Sequence, residues 1–151
     1  MAHATLNTSH MHKNRLYVKI AGIFGAMAVA VGAFGAHLLK AYMTPDTTSV
    51  WQTAVNYQFY HTLALLCIGI LYKRYQSRTL VHTARLMIAG TLLFSGSLYA
   101  SALLKMSGQA GLGMFSYITP IGGACLILGW VCLVNSVPGN LMRLETEREE
   151  E

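Results

Sequence analysis

Two histidines, His37 and His61, stand inside long apolar stretches of this sequence, and around them cluster the side chains with most capacity for chemistry. Imidazole ligates haem and metals, moves protons and pins helices by hydrogen bonds. Tyr57 and His61 are four residues apart, so a helix places them on one face. Asn56, Gln58 and Tyr60 lie beside them, and Ser97, Tyr99, Ser101 and Thr119 occur in two later apolar stretches. Ionisable groups at membrane depth face a bundle interior or a water-filled cavity. The plainest role for His37 and His61 is a hydrogen bond to a hydroxyl or backbone group that fixes one helix against another. The sharper roles are a haem or metal ligand, a polar pocket for a quinone or lipid headgroup, and a solute or proton path.

Several chemistries lack their parts. No Asp or Glu falls inside an apolar stretch, so no Ser/His/Asp set can form there, and no GxSxG occurs. Transport would call for a broken helix pair or an inverted repeat, and neither is evident. The sequence therefore leans away from an enzyme, and no motif demands a cofactor. The three cysteines, Cys67, Cys125 and Cys132, lack a CxxC partner and read as small apolar core residues. His3, His10 and His12 lie in a polar N-terminal stretch that reads as a solvated tail, unable to hold ligands in geometry.

The elements that must position these residues follow from composition. Hydrophobic residues make up 54% and charged residues 11%. A water-soluble fold carries about a quarter charged residues, so this chain lacks the surface for one. Its length suits a single compact unit. Crossing a hydrocarbon core of about 30 Å takes about 20 apolar residues in a helix. Four runs approach that length without an acidic residue, Lys or Arg: Ile20–Leu39, Val55–Tyr72, Leu86–Leu104 and Ile118–Val137. The expected architecture is an all-α integral membrane four-helix bundle over residues 17–138. A disordered tail is expected over 1–16, and a charged cytoplasmic tail over 139–151. A cleaved signal peptide is the competing reading of the first run, but its apolar stretch exceeds the usual ~7–15 residues.

Charge sets the orientation. The formal net charge is +5, but the basic residues flank apolar runs rather than forming a nucleic-acid-binding stripe. Lys13, Arg15 and Lys19 precede the first run; Lys73, Arg74, Arg78 and Arg85 join the second to the third; Arg143 and Arg148 follow the fourth. Only Lys40 and Lys105 lie on the other side. The positive-inside rule then puts both termini in the cytoplasm. Between the first two runs, Thr44-Pro45-Asp46 has the form of a helix N-cap followed by proline. Val50, Trp51, Ala54 and Tyr57 recur at helical spacing after it. They suggest a short interfacial helix leading into the second run, with Trp51 at headgroup depth.

Helices in lipid associate by close backbone approach and hydrogen bonds. The first run offers Gly25, Ala28, Gly32, Gly35 and Ala36 for that approach. Gly90 on the third run and Gly122 and Gly129 on the fourth are candidates to receive it.

Four segments, GAFGAHLL (Gly32–Leu39), YHTLALL (Tyr60–Leu66), LFSGSLYA (Leu93–Ala100) and ITPIGG (Ile118–Gly123), resemble the YgdD-like family of small inner-membrane proteins, domain of unknown function 423. They occur in order and touch all four runs. The resemblance implies a multi-pass plasma-membrane protein and implies no activity. Its motifs contain His37, His61, Ser95, Ser97, Tyr99 and Thr119, which adds Ser95 to the polar set. The function expected is that of a non-enzymatic accessory or assembly subunit in the bilayer, within a membrane complex or a homo-oligomer. The alternative is a binding or redox subunit with a quinone, lipid or haem in the polar pocket.

Overall fold

The computed structural model of the protein describes residues 2–109 and 113–136. It contains four α-helices in sequence: α1 (Ala2–His37), α2 (Pro45–Tyr75), α3 (Arg78–Met106) and α4 (Ile118–Val134). Short 3₁₀ turns, Lys40–Tyr42 and Gly113–Tyr117, enter the two longer connections. The segment 139–151, expected as a charged tail, lies outside the described residues.

α1 begins well before the first apolar run and takes in residues expected to be a disordered tail. Residues 2–16 contain neither Pro nor Gly. Once the apolar segment has nucleated a helix, extending it fixes one residue per new hydrogen bond and meets no breaker. His3, His10 and His12 lie outside the described side chains. α1 closes when the backbone N–H groups of Leu38 and Leu39 both donate to Phe34 O.

α2 starts as the sequence proposes: Thr44 Oγ1 accepts from Thr47 N at 3.3 Å, and Pro45 occupies the first turn, where an N–H is not needed. It then runs without a break to Tyr75, so the helical segment begun at Pro45 leads directly into the second apolar run. Nothing between Asp46 and Val55 breaks a helix, and Trp51 turns inward towards the end of α1. Its side chain is buried against Gly35, with Nε1–H donating to Val31 O at 3.2 Å. Gln76 ends α2 in the left-handed region (φ 45°), its N–H donating to Tyr72 O. Ser77 caps α3 through Thr79 N at 3.1 Å. A connection this short forces α2 and α3 to lie antiparallel as neighbours.

α1, α2 and α3 each contain a stretch long and apolar enough to cross a membrane. α4 is shorter than its apolar run. It stops at Val134 because Asn135 Nδ2 donates to Val131 O and Ser136 Oγ to Leu133 O. Pro138 follows and disfavours helix in the residue before it. At about 1.5 Å per residue, α4 is roughly 26 Å long, a few Å short of a hydrocarbon core of about 30 Å.

Each helix packs on the next in sequence: α1 on α2, α2 on α3, α3 on α4. The core joins Tyr17 and Ala21 of α1, Leu65, Ile68 and Tyr72 of α2, Leu80, Ala84 and Met87 of α3, and Leu126 of α4. The small residues of α1 therefore do not receive α3 or α4. Gly25 faces Thr62, Gly32 faces Val55 and Gly35 faces Trp51, all on α2, and Ala28 is buried while Ala36 is exposed. Gly90 sits on Leu126, Gly122 on the backbone of Phe94, and Gly129 on Met87, so the later glycines serve the α3–α4 contact. A short connection and antiparallel order favour chain neighbours over distant helices. Cys67 is exposed rather than in the core, while Cys125 and Cys132 are half-buried. A thiol facing hydrocarbon is as well placed as one facing leucine.

At the far end of the hairpin from Gln76, Lys105 Nζ lies 2.7 Å from Asp46 Oδ2, so the α1–α2 and α3–α4 connections share one side.

Candidate functional site: polar contacts between the helices

The polar residues separate into small groups. On α2, the His61 side chain is buried and has a partner at each ring nitrogen. Nδ1 is 2.7 Å from Tyr57 O, and Trp130 Nε1 of α4 is 3.2 Å from His61 Nε2. A carbonyl only accepts and an indole N–H only donates. The geometry thus sets the tautomer: Nδ1–H donates to Tyr57 O, and the Nε2 lone pair accepts from Trp130. A metal or haem iron at Nε2 would have to replace Trp130. The Tyr57 ring stacks on Phe94 at 4.6 Å and lies 5.8 Å from the His61 ring.

One turn away, Gln58 faces a different neighbour. Its Nε2 donates to Phe24 O of α1 at 2.9 Å, and its Oε1 accepts from Tyr99 Oη of α3 at 3.0 Å. One amide thereby ties three helices together, and Tyr99 rests against the edge of the Trp51 ring (centroids 4.9 Å apart). A third pair joins α3 to α4, where Ser97 Oγ and Thr119 Oγ1 are 2.7 Å apart.

Of the expected pocket, the fold brings together Ser97 with Thr119 and sets Tyr57 against His61; Tyr99 meets Gln58 instead. His37 and Asn56 are exposed and join none of these groups. Ser95 is buried, and its hydroxyl has no partner. Trp130 and Phe24 O were missed. Trp130 reads as one more apolar residue of its run, and no sequence signal marks which main-chain carbonyl an amide will reach. Gln58 was visible as a polar residue but undistinguished from its neighbours. Among the described residues no three His, Cys, Asp or Glu gather as a metal site.

Among the described residues the buried polar side chains are Gln58, His61, four threonines and three serines, with no Asp, Glu, Lys or Arg. Gln58, His61 and Ser97 bond across helices and hold them in register at a modest ~0.6–2 kcal/mol per bond. His61 has neither a carboxylate nor a hydroxyl partner, so the arrangement does not assemble a nucleophile and its base.

Comparison with known proteins places this geometry. Residues 31–123 match the family model described as "Protein of unknown function (DUF423)". The chain belongs to this family. DUF423 relatives include the UPF0382 membrane protein SAB0533 of Staphylococcus aureus (strain bovine RF122), 38% identical across 80% of this chain and 93% of its own. YwdK of Bacillus subtilis is 36% identical over 80% and 94%. The inner membrane protein YgdD of Escherichia coli K12 is 36% identical over 80% and 88%. No solved structure matches. The resemblance read from the four motifs is thus shown: the protein is a multi-pass, all-α four-helix protein of the plasma membrane. The DUF423 match includes Gln58, His61, Ser95, Ser97, Tyr99 and Thr119, and leaves Phe24 and Trp130 outside it.

Proposed function

We propose that this protein is a non-enzymatic accessory or assembly subunit that docks against a helix of another membrane protein through the free face of α1, with both termini cytoplasmic. The observation that supports this reading is a difference between the two outer helices. α4 turns Ile121, Ile127, Leu128, Val131 and Val134 outward, the large side chains that lipid tails solvate well. α1 also turns Gly22, Ala26, Ala30 and Ala33 outward, along one stripe between Ile23, Met27 and Phe34. A Cβ added at Gly22 would meet nothing within 4 Å, so no contact within the chain calls for a glycine there. In a bilayer such a stripe favours close approach of a second helix. Orientation is supported by the basic residues at the Gln76 end of the hairpin.

A photoreactive residue at Ala26, compared with one at Leu128, tests the docking in native membranes. The Ala26 position should give one adduct of defined mass that disappears in Ala30→Leu, while Leu128 should label lipid. Equal labelling at the two positions, or an adduct indifferent to Ala30→Leu, would refute it. An adduct of twice the chain mass would replace the heterologous partner with a second copy of this chain.

A further inference from the structure

Among the described residues, the buried serine and threonine hydroxyls obey a pattern with one exception. Thr47, Thr62, Thr83, Thr91, Ser97 and Ser136 each donate to a carbonyl three or four residues earlier. Side chains in lipid-embedded helices do this because the alternative is an unsatisfied group in hydrocarbon. Ser95 is 2% exposed, and its Oγ has no partner. An unmade bond of this kind costs about 1–3 kcal/mol.

A second observation falls on the next residue. Gly96 stands in the middle of α3, where glycine disfavours helix by about 1 kcal/mol relative to alanine. The other glycine of mid-α3, Gly90, is explained by close contact with Leu126. Gly96 is exposed, and a Cβ there would meet nothing within 4 Å. No protein neighbour uses the space it leaves.

Both residues line one cavity of about 110 Å³ between α1, α2 and α3, together with Phe24, Met27, Gln58 and Tyr99. From these facts we infer that the cavity is a binding site for a neutral, membrane-soluble molecule that presents one carbonyl or hydroxyl oxygen to Ser95. The lining carries no charge, which excludes an anionic or cationic head. Hydrogen-bonding capacity beyond Ser95 remains on Gln58, whose amide has a second N–H, and on Tyr99, whose oxygen still accepts. The remaining polar lining residue, Thr91, already donates its hydroxyl to Met87 O, and the other walls are apolar. Ser95 lies about 26 Å along α3 from Arg78 and about 17 Å from Met106, at ~1.5 Å per residue, which is hydrocarbon depth. Met27 and Leu92 at the cavity's rim are half-exposed, so the opening faces the bilayer sideways. A cavity near 150 Å³ admits a benzene ring. This smaller one takes a head of a few atoms, and Gly96 lets the apolar remainder pass along α3 into the lipid. The cavity borders the docking stripe of α1 at Met27 but contains none of Gly22, Ala26, Ala30 and Ala33.

The test uses the purified full chain in phospholipid nanodiscs with two photoactivatable probes, a long-chain alcohol and the same chain without its hydroxyl. Labelled peptides are read by mass spectrometry. The alcohol should label the segments holding Phe24–Met27 and Leu92–Tyr99 about fivefold more than the hydrocarbon, the worth of one net hydrogen bond. Ser95→Ala, which removes no bond made within the protein, should bring the two probes to parity. Gly96→Leu should fill the opening and abolish labelling by both; Thr53→Ala, outside the cavity, should change nothing. Equal labelling by the two probes in the natural protein would overturn the inference and leave water as the partner of Ser95. An alcohol preference that survives Ser95→Ala, or labelling that survives Gly96→Leu, would overturn it as well. None of these readouts depends on a partner at Ala26, so the two proposals fail separately.

Discussion

Gly122→Ala should separate α3 from α4, and its cost can be worked from what the new methyl meets. An alanine replacing a helical glycine gains about 1 kcal/mol of helix propensity. At Gly122 that gain meets an obstacle made of backbone. The added Cβ would overlap Phe94 N and lie 2.9 Å from both Leu93 C and Phe94 Cα, none of which can swing aside. Overpacking of a rigid contact costs about 1–3 kcal/mol, and the parting helices also strain Ser97–Thr119. The net expectation is destabilisation by about 1–2 kcal/mol. Gly129 provides an internal comparison, because its Cβ would meet Met87 Cε at 3.2 Å, the far end of a flexible side chain. Propensity and crowding should nearly cancel there. Gly22→Ala meets nothing and should stabilise by about 0.5–1 kcal/mol. The assay is unfolding of the purified protein by denaturing detergent in mixed micelles, followed by circular dichroism and tryptophan fluorescence. The predicted order of stability is Gly22→Ala, natural protein close to Gly129→Ala, then Gly122→Ala. A Gly122→Ala protein as stable as the Gly22→Ala one would refute the packing of α4 on Phe94.

Two further expectations concern the polar contacts and the topology. Trp130→Phe should cost about 1–3 kcal/mol because it strands the buried Nε2 of His61. Adding His61→Phe should recover much of that loss in a double-mutant cycle, and simple additivity of the two changes would argue against the bond. For orientation, single cysteines at Gln109 and Arg78 in a cysteine-free background should label from opposite sides of intact cells, with Arg78 protected. Labelling of Arg78 with Gln109 protected would reverse the assignment of the termini, and labelling of both from outside would refute the crossing of α3.

The parts of the fold legible in the sequence were those set by local chemistry. Thr44-Pro45 announced a helix start. Absence of charge from four runs announced their burial in lipid, since each charge there would cost several kcal/mol. Boundaries were less legible where a helix could simply continue. α1 extends through a polar segment because nothing in it stops a helix, and the short helix expected before the second run is continuous with it in α2. α4 ends early because Asn135 and Ser136 take carbonyls that an apolar count does not see.

The sequence alone determined that this protein lives in a bilayer as helices and that its polar residues occupy the span interiors. Hydropathy and helix signals are properties of consecutive residues, so no partner is needed to read them. It also marked most of the glycines that meet a neighbour, since a missing side chain is visible in one dimension. Tertiary structure decided which neighbour each one meets. Gly25, Gly32 and Gly35 were free to receive any helix, and short antiparallel connections gave them α2. The polar set read as one pocket because its members share a depth; azimuth around each helix then separated them, sending Gln58 to α1 and α3 and His61 to Trp130. Depth follows from counting residues along a chain, whereas azimuth depends on how two helices rotate against each other. For that reason the unpartnered hydroxyl of Ser95 could be found only once all three surrounding helices were in place.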